Sequence, residues 1–273
     1  MPVRAEWVRY GEAGVFSGYM ARPSLPENER LPAVVVLQEI WGVDDHIQDV
    51  TRRLAAAGYL AFAPDLYARG GERPRALTEE RIDRAKQFLD SLPPGAWGNP
   101  EERARALAAL PAPDQAVIGE TLQALFAGLN PDGYMEQLLA TTRFLREACP
   151  FSQGQGVASV GFCMGGALSA RLACRDPLLR GAVVFYGQAP PAEMIPSIQC
   201  PVRGFYGALD KRITEAVPEF AAAMREAGKD FASQVYDGAG HAFFNDTRRS
   251  YHVAAARDAY VRTLSFLRDV LAE

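Results

Sequence analysis

The period of apolar and polar positions changes several times along the chain, and each change marks an element. Pro32-Ala33-Val34-Val35-Val36-Leu37 is an unbroken apolar run, the pattern of a strand covered on both faces, as in a parallel sheet. From Asp45 to Gly58, Ile47, Val50, Leu54 and Ala57 recur at spacings of 3, 4 and 3, and Gly58 supplies a helix stop. Tyr59–Ala63 reads as another short strand, closed by Pro64-Asp65. Ahead of these, Ala5–Arg9 and Val15–Ala21 flank the turn Gly11-Glu12-Ala13-Gly14 and predict a β-hairpin.

The second half repeats the rhythm. Strands are predicted at Val157–Val160, Gly181–Tyr186, Val202–Tyr206 and Phe231–Tyr236, and helices at Met164–Cys174, Glu215–Ala227 and Arg248–Leu271. Strand–helix–strand alternation of this kind indicates an α/β class with a mostly parallel central sheet flanked by helices. Residues 70–132 break the rhythm and contain no convincing strand. Ile82, Ala85, Phe88 and Leu89 mark one short helix, and Ala104–Leu110 and Ala116–Leu129 mark others, with Pro93, Pro94, Pro100, Pro111 and Pro113 between them. A helical insertion between sheet strands is a candidate lid. No linker composition separates the halves, so residues 1–273 read as a single domain carrying an insertion at 70–132.

Composition narrows the function. Of 273 residues, 48% are apolar and 23% charged, and Lys plus Arg (29) against Asp plus Glu (33) leaves a net charge of −4. That balance lacks the basic footprint of a nucleic-acid partner or a polybasic membrane surface. No apolar stretch approaches the ~20 residues of a membrane span, and the first residues lack the apolar core of a secretory signal. The expectation is a soluble cytoplasmic protein. The four cysteines, at 149, 163, 174 and 200, form no CxxC pair, and only His46, His241 and His252 could join them. A metal site of usual spacing is hard to build from that set, so no metal or cofactor is expected.

The sharpest chemical signal is Gly161-Phe162-Cys163-Met164-Gly165-Gly166, directly after a predicted strand and directly before a predicted helix. G-x-nucleophile-x-G in that context is a nucleophile elbow. The turn is so tight that residues two before and two after must lack bulk. It sets Cys163 at a helix N-terminus, where free N–H groups and the dipole favour negative charge. A thiol nucleophile needs a base, and the base needs an orienting acid. His241, in the small-residue loop Gly238-Ala239-Gly240-His241-Ala242-Phe243, is the base by position and elimination. His46 reads as a capping or packing residue and His252 as a surface or packing residue of the last helix. Asp210, in Gly207-Ala208-Leu209-Asp210 after a strand, is the acid, ahead of Asp237 and Asp246. The chain order Cys163, Asp210, His241 is that of α/β-hydrolases.

With Gln38-Glu39-Ile40-Trp41-Gly42 and Pro64-Asp65-Leu66-Tyr67-Ala68-Arg69 added to the elbow, to Gly207–Asp210 and to Gly240-His241-Ala242-Phe243-Phe244, the chain resembles the dienelactone hydrolases (carboxymethylenebutenolidases). The resemblance runs from the first hairpin to the last helix, apart from the insertion. It implies an α/β-hydrolase fold and cleavage of a small ester or lactone through an acyl-enzyme. It implies that Glu39 contacts the resting thiol and helps activate it, that the N–H groups of Ile40 and Met164 form the oxyanion hole, and that Arg69 binds a substrate carboxylate. Relatives acting on dienelactone carry a second carboxylate-binding arginine four residues after the histidine; here that position is Asn245. The substrate therefore stays open, and so does the oligomeric state. Two further readings share the elbow: a non-hydrolytic binding or regulatory module, and thioesterase-like acyl chemistry.

Overall fold

The computed structural model describes residues 2–26, 29–93, 96, 99–127 and 131–272. Its backbone falls into two compact units, residues 1–66 with 132–273, and residues 67–131.

The first unit is built on an eight-stranded sheet in the order β1-β2-β4-β3-β5-β6-β7-β8. The hairpin β1 (Val3–Tyr10) and β2 (Phe16–Pro23) is antiparallel and joins β4 (Leu60–Pro64) antiparallel through β2. The strands β3 (Ala33–Leu37), β4, β5 (Val157–Phe162), β6 (Ala182–Phe185), β7 (Val202–Gly207) and β8 (Phe231–Tyr236) pair parallel. Every residue of β3, β4, β5 and β6 is buried, as the unbroken apolar run of β3 predicts for that strand.

Side-chain alternation assigns the helices to faces. Ala158, Val160 and Phe162 of β5 join one apolar cluster with Ile47, Val50 and Leu54 of α1 (Asp45–Ala56) and with Ala255, Ala259 and Phe266 of α9 (Val253–Leu271). On the opposite face, the Ser159 hydroxyl pairs with that of Ser169 on α6 (Met164–Arg175) at 2.8 Å. The buried face of α1 runs Ile47, Val50, Thr51, Leu54, Ala55, so the turn containing Ala57 is exposed rather than part of the apolar stripe.

Several boundaries differ from the sequence reading, and one helix was not foreseen. The last helix begins at Val253 because His252 N–H is drawn to Phe243 O (2.9 Å) and its Nδ1 accepts from Ala255 N–H (3.2 Å), making His252 the N-cap. The helix predicted at Glu215–Ala227 is α8 (Val217–Glu226), with Pro218 in its first turn, and a separate short helix, α7 (Lys211–Thr214), precedes it. A helix absent from the sequence reading, α5 (Pro131–Glu147), precedes β5. Its buried positions include Tyr134, Leu138, Thr141 and Leu145. That face is partly polar and satisfied: Gln137 Nε2 donates to Asp65 O at 3.0 Å, and the Thr141 hydroxyl lies 2.7 Å from that of Tyr10.

The second unit is helical, with α2 (Glu79–Ser91), α3 (Pro100–Ala108) and α4 (Ala112–Ala127). Ile82, Ala85, Phe88 and Leu89 are the buried face of α2, and Asn99 caps α3 through Glu101 and Glu102 N–H. Pro94 and the end of the predicted 116–129 helix, Gly128 and Leu129, lie outside the described residues. Among the described residues no helix is long and apolar enough to cross a membrane.

Candidate active site

Strands β3, β5, β6, β7 and β8 run in one direction with β4, so the loops at their carboxyl ends share one edge of the sheet, where ligands of open α/β sheets bind. Glu39 follows β3, Cys163 follows β5, Tyr186 follows β6, Asp210 follows β7 and His241 follows β8.

Cys163 stands between β5 and α6 with φ 55° and ψ −115°. A side chain in that region is strained, and the surroundings must enforce it. They do so through close backbone approach. A Cβ on Gly161 would fall 1.9 Å from Gly165 O, and one on Gly165 would fall 2.2 Å from Leu37 O. Both partners are backbone atoms and cannot turn aside, which is why glycine occupies both positions. Cys163 N–H donates to Phe185 O at 3.0 Å, and its side chain is part-exposed. Met164 is the first residue of α6, so its N–H has no partner inside the helix.

His241 Nδ1 lies 2.5 Å from Asp210 Oδ2. Gly207 makes that approach possible: a Cβ there would meet Ala239 O at 2.5 Å and Gly240 O at 2.6 Å, so the histidine loop can lie directly on the end of β7. Burial opposes the imidazolium of His241. Hydrogen bonds with Asp210 and Cys163, and the negative charge of both, outweigh it and raise the ring to about 10. Burial pushes Cys174 up to about 11 and Cys200 up to about 12, which keeps both protonated and unreactive.

Glu39 is 3% exposed. Its Oε1 accepts from the Tyr186 hydroxyl at 3.0 Å, and its Oε2 accepts from Asn245 Nδ2 at 2.9 Å. Ile40 follows it and is buried beside Trp41, whose ring carries the Arg248 guanidinium at 5.4 Å. Arg69 belongs to the helical unit, is exposed, and pairs its backbone with Glu72. Among the described residues no group of three or more His, Cys, Asp or Glu side chains is arranged to hold a metal ion.

Of the sequence candidates, the structure joins His241 to Asp210 by a hydrogen bond and sets Cys163 close enough to raise the His241 ring. Sequence reasoning passed over Tyr186. Its signal was an aromatic residue ending a buried strand just before Gly187, whose backbone lies against α6: a Cβ there would fall 2.4 Å from Ala167 N. Of the other two histidines, His46 is packed in the interior while Asp44 caps α1, and His252 caps α9.

Known proteins give the family of the chain. The family model for the dienelactone hydrolase family matches residues 16–271. A protein of Saccharolobus solfataricus assigned as a carboxymethylenebutenolidase is 39% identical over 249 residues, covering 90% of this chain and 91% of that one. An Escherichia coli K12 protein with the same assignment is 31% identical over 261 residues, covering 92% and 81%. The crystal structure of a Klebsiella pneumoniae protein assigned as a dienelactone hydrolase superposes with a TM-score of 0.71 at 27% identity, covering 97% and 98%. The chain belongs to the dienelactone hydrolase family and is a hydrolase of carboxylic ester and lactone bonds on the α/β-hydrolase fold.

Proposed function

We propose that the protein cleaves a small ester or lactone through an acyl-enzyme on Cys163. His241 holds the Cys163 proton while the sulfur attacks the carbonyl carbon and gives it to the leaving alkoxide. Asp210 orients the imidazole and balances its charge. The tetrahedral oxyanion is held by the N–H groups of Ile40 and Met164, donors of a kind worth about 3 kcal/mol each in the transition state. Water, activated by His241, then releases the acid. Glu39 tunes the thiol, and Arg69 anchors a substrate carboxylate by the fork geometry that suits arginine to carboxylates.

One observation carries this reading: the hydrogen bond of His241 to Asp210, in a ring that Cys163 also raises, beside a Cys163 held at the N-terminus of α6. The four cysteines, all free thiols, support a reducing, cytoplasmic setting. The single-domain reading, with residues 70–132 as an insertion and lid, belongs to the same proposal.

The test is turnover of p-nitrophenyl acetate by Cys163→Ala. Activity falls to background while the circular dichroism spectrum is unchanged; undiminished turnover would refute the assignment.

A further inference from the structure

The Glu39 carboxylate is buried, and each of its oxygens has its own neutral donor, one from the end of β6 and one from the loop before α9. Neither donor is free to leave. Asn245 is fully buried, and its Oδ1 accepts from Thr247 N–H at 3.0 Å and from the Thr247 hydroxyl at 2.7 Å. Turning the amide over would set Nδ2 against one N–H donor and Oδ1 against a carboxylate, so its orientation is determined. Both ends of Asn245 are thereby engaged inside the protein, the oxygen by Thr247 and the nitrogen by Glu39.

Tyr186 is held from the backbone. It has φ 39°, in the left-handed region that non-glycine residues seldom enter, and its N–H donates to Phe205 O at 2.8 Å. Gly187, next in the chain, is wedged against the first turn of α6. The Tyr186 ring is fully buried and meets the His241 ring edge-on with centroids 5.1 Å apart. One side chain therefore touches both the base and the buried carboxylate.

We propose that Tyr186 and Asn245 are positioning residues of the hydrolysis, clamping Glu39 so that it serves as a fixed charge and not as a proton carrier. The inference rests on the triad reading given above. The proton of the Cys163 Sγ–H bond rests on His241; in the acylation step the S–C bond forms, the C–O bond breaks, and the leaving alkoxide departs with that proton. Glu39 gains and loses nothing. Its contribution is electrostatic and depends on staying in place, as preorganised charges do.

The experiment is a set of double-mutant cycles read by p-nitrophenyl acetate kinetics. Tyr186→Phe and Asn245→Ala each lower kcat about tenfold with KM changed less than about twofold, because the clamp acts on chemistry and not on binding. In a Glu39→Gln background both substitutions lose their effect. Equal falls in both backgrounds, or no fall in either single variant, would overturn the clamp. Tyr186→Phe keeps the ring, so it stays informative if Asn245→Ala fails to fold.

The rate of Cys163 alkylation by iodoacetamide reads the same cycles where turnover is too slow. It also tests the proton route: His241→Ala slows alkylation at neutral pH far more than Glu39→Gln, and the reverse order overturns the proposal. Cys163→Ala, run alongside, separates the two ideas. Retained turnover there removes the triad reading itself, whereas loss of turnover with uncoupled Tyr186 and Asn245 effects removes only the clamp.

Discussion

His241 and His46 are two imidazoles near aspartates in one molecule, and they come to opposite ends. His241 Nδ1 sits 2.5 Å from Asp210 Oδ2, with 36% of its side chain exposed. His46 Nδ1 is 3.7 Å from Asp246 Oδ1, too far for a hydrogen bond, and 1% of its side chain is exposed. The His46 ring packs edge-on against Phe162 (5.8 Å) and Phe244 (6.4 Å), and neither of its nitrogens has a hydrogen-bond partner. Phe162 directly precedes Cys163, so His46 backs the elbow from inside while His241 faces it. An aspartate nearby is not enough to make a histidine a base. It must reach hydrogen-bond distance on one nitrogen and leave the other open to the nucleophile and substrate.

That contrast breaks most readily at Asp210. Asp210→Asn should lower kcat/KM for p-nitrophenyl acetate by about 1,000-fold or more, since the imidazole loses both its orientation and its counter-charge. An effect under about tenfold would return the acid's role to Asp237 or Asp246. The same variant tests the linkage of His241 to folding. The ring is raised in the folded state to about 10 from 6.5, so its stabilising contribution is complete below pH 6.5 and is lost as pH rises toward 10. The melting-temperature gap between wild type and Asp210→Asn should therefore narrow between pH 6 and pH 10; a gap that widens contradicts the pairing.

A smaller effect is expected at His46. Its two unpartnered nitrogens are buried in an aromatic pocket, and desolvating such groups costs about 1–3 kcal/mol each. His46→Leu should raise unfolding stability by about 1 kcal/mol, measured by urea titration, because the apolar replacement removes that penalty. A loss of stability would contradict that penalty. The smallest effect belongs to Asp246 itself. Burial pushes its carboxyl up, but the Arg53 guanidinium at 2.5 Å outweighs this and holds it below the usual range. The pair is solvent-screened, so Asp246→Asn should cost less than about 1 kcal/mol; a larger loss would place it in the structural core of the loop.

How much of this was legible in the sequence follows from the range of the signals. The buried strands announce themselves because β3, β5 and β6 are covered on both faces and show no alternation. The elbow is legible because its glycines and its nucleophile are neighbours in the chain. α5 was missed although Tyr134, Leu138, Thr141 and Leu145 repeat at helical spacing. Gly133 and the pair Thr141-Thr142 weaken its propensity, and its buried face carries Gln137 and two threonines that only tertiary partners satisfy. Asn245 was visible as a residue in an arginine's place, but nothing local ties it to Glu39, some two hundred positions away. Tyr186 was hidden for the same reason: its hydroxyl finds a partner only once β3 and β6 lie in one sheet.

The most direct test is rapid quenching of the protein with p-nitrophenyl acetate, followed by peptide mass spectrometry. The account predicts one acetyl group on the peptide containing Cys163, forming with the first release of p-nitrophenol and decaying at the turnover rate. Acetyl on another residue, or full turnover with no covalent species and no burst, would contradict it.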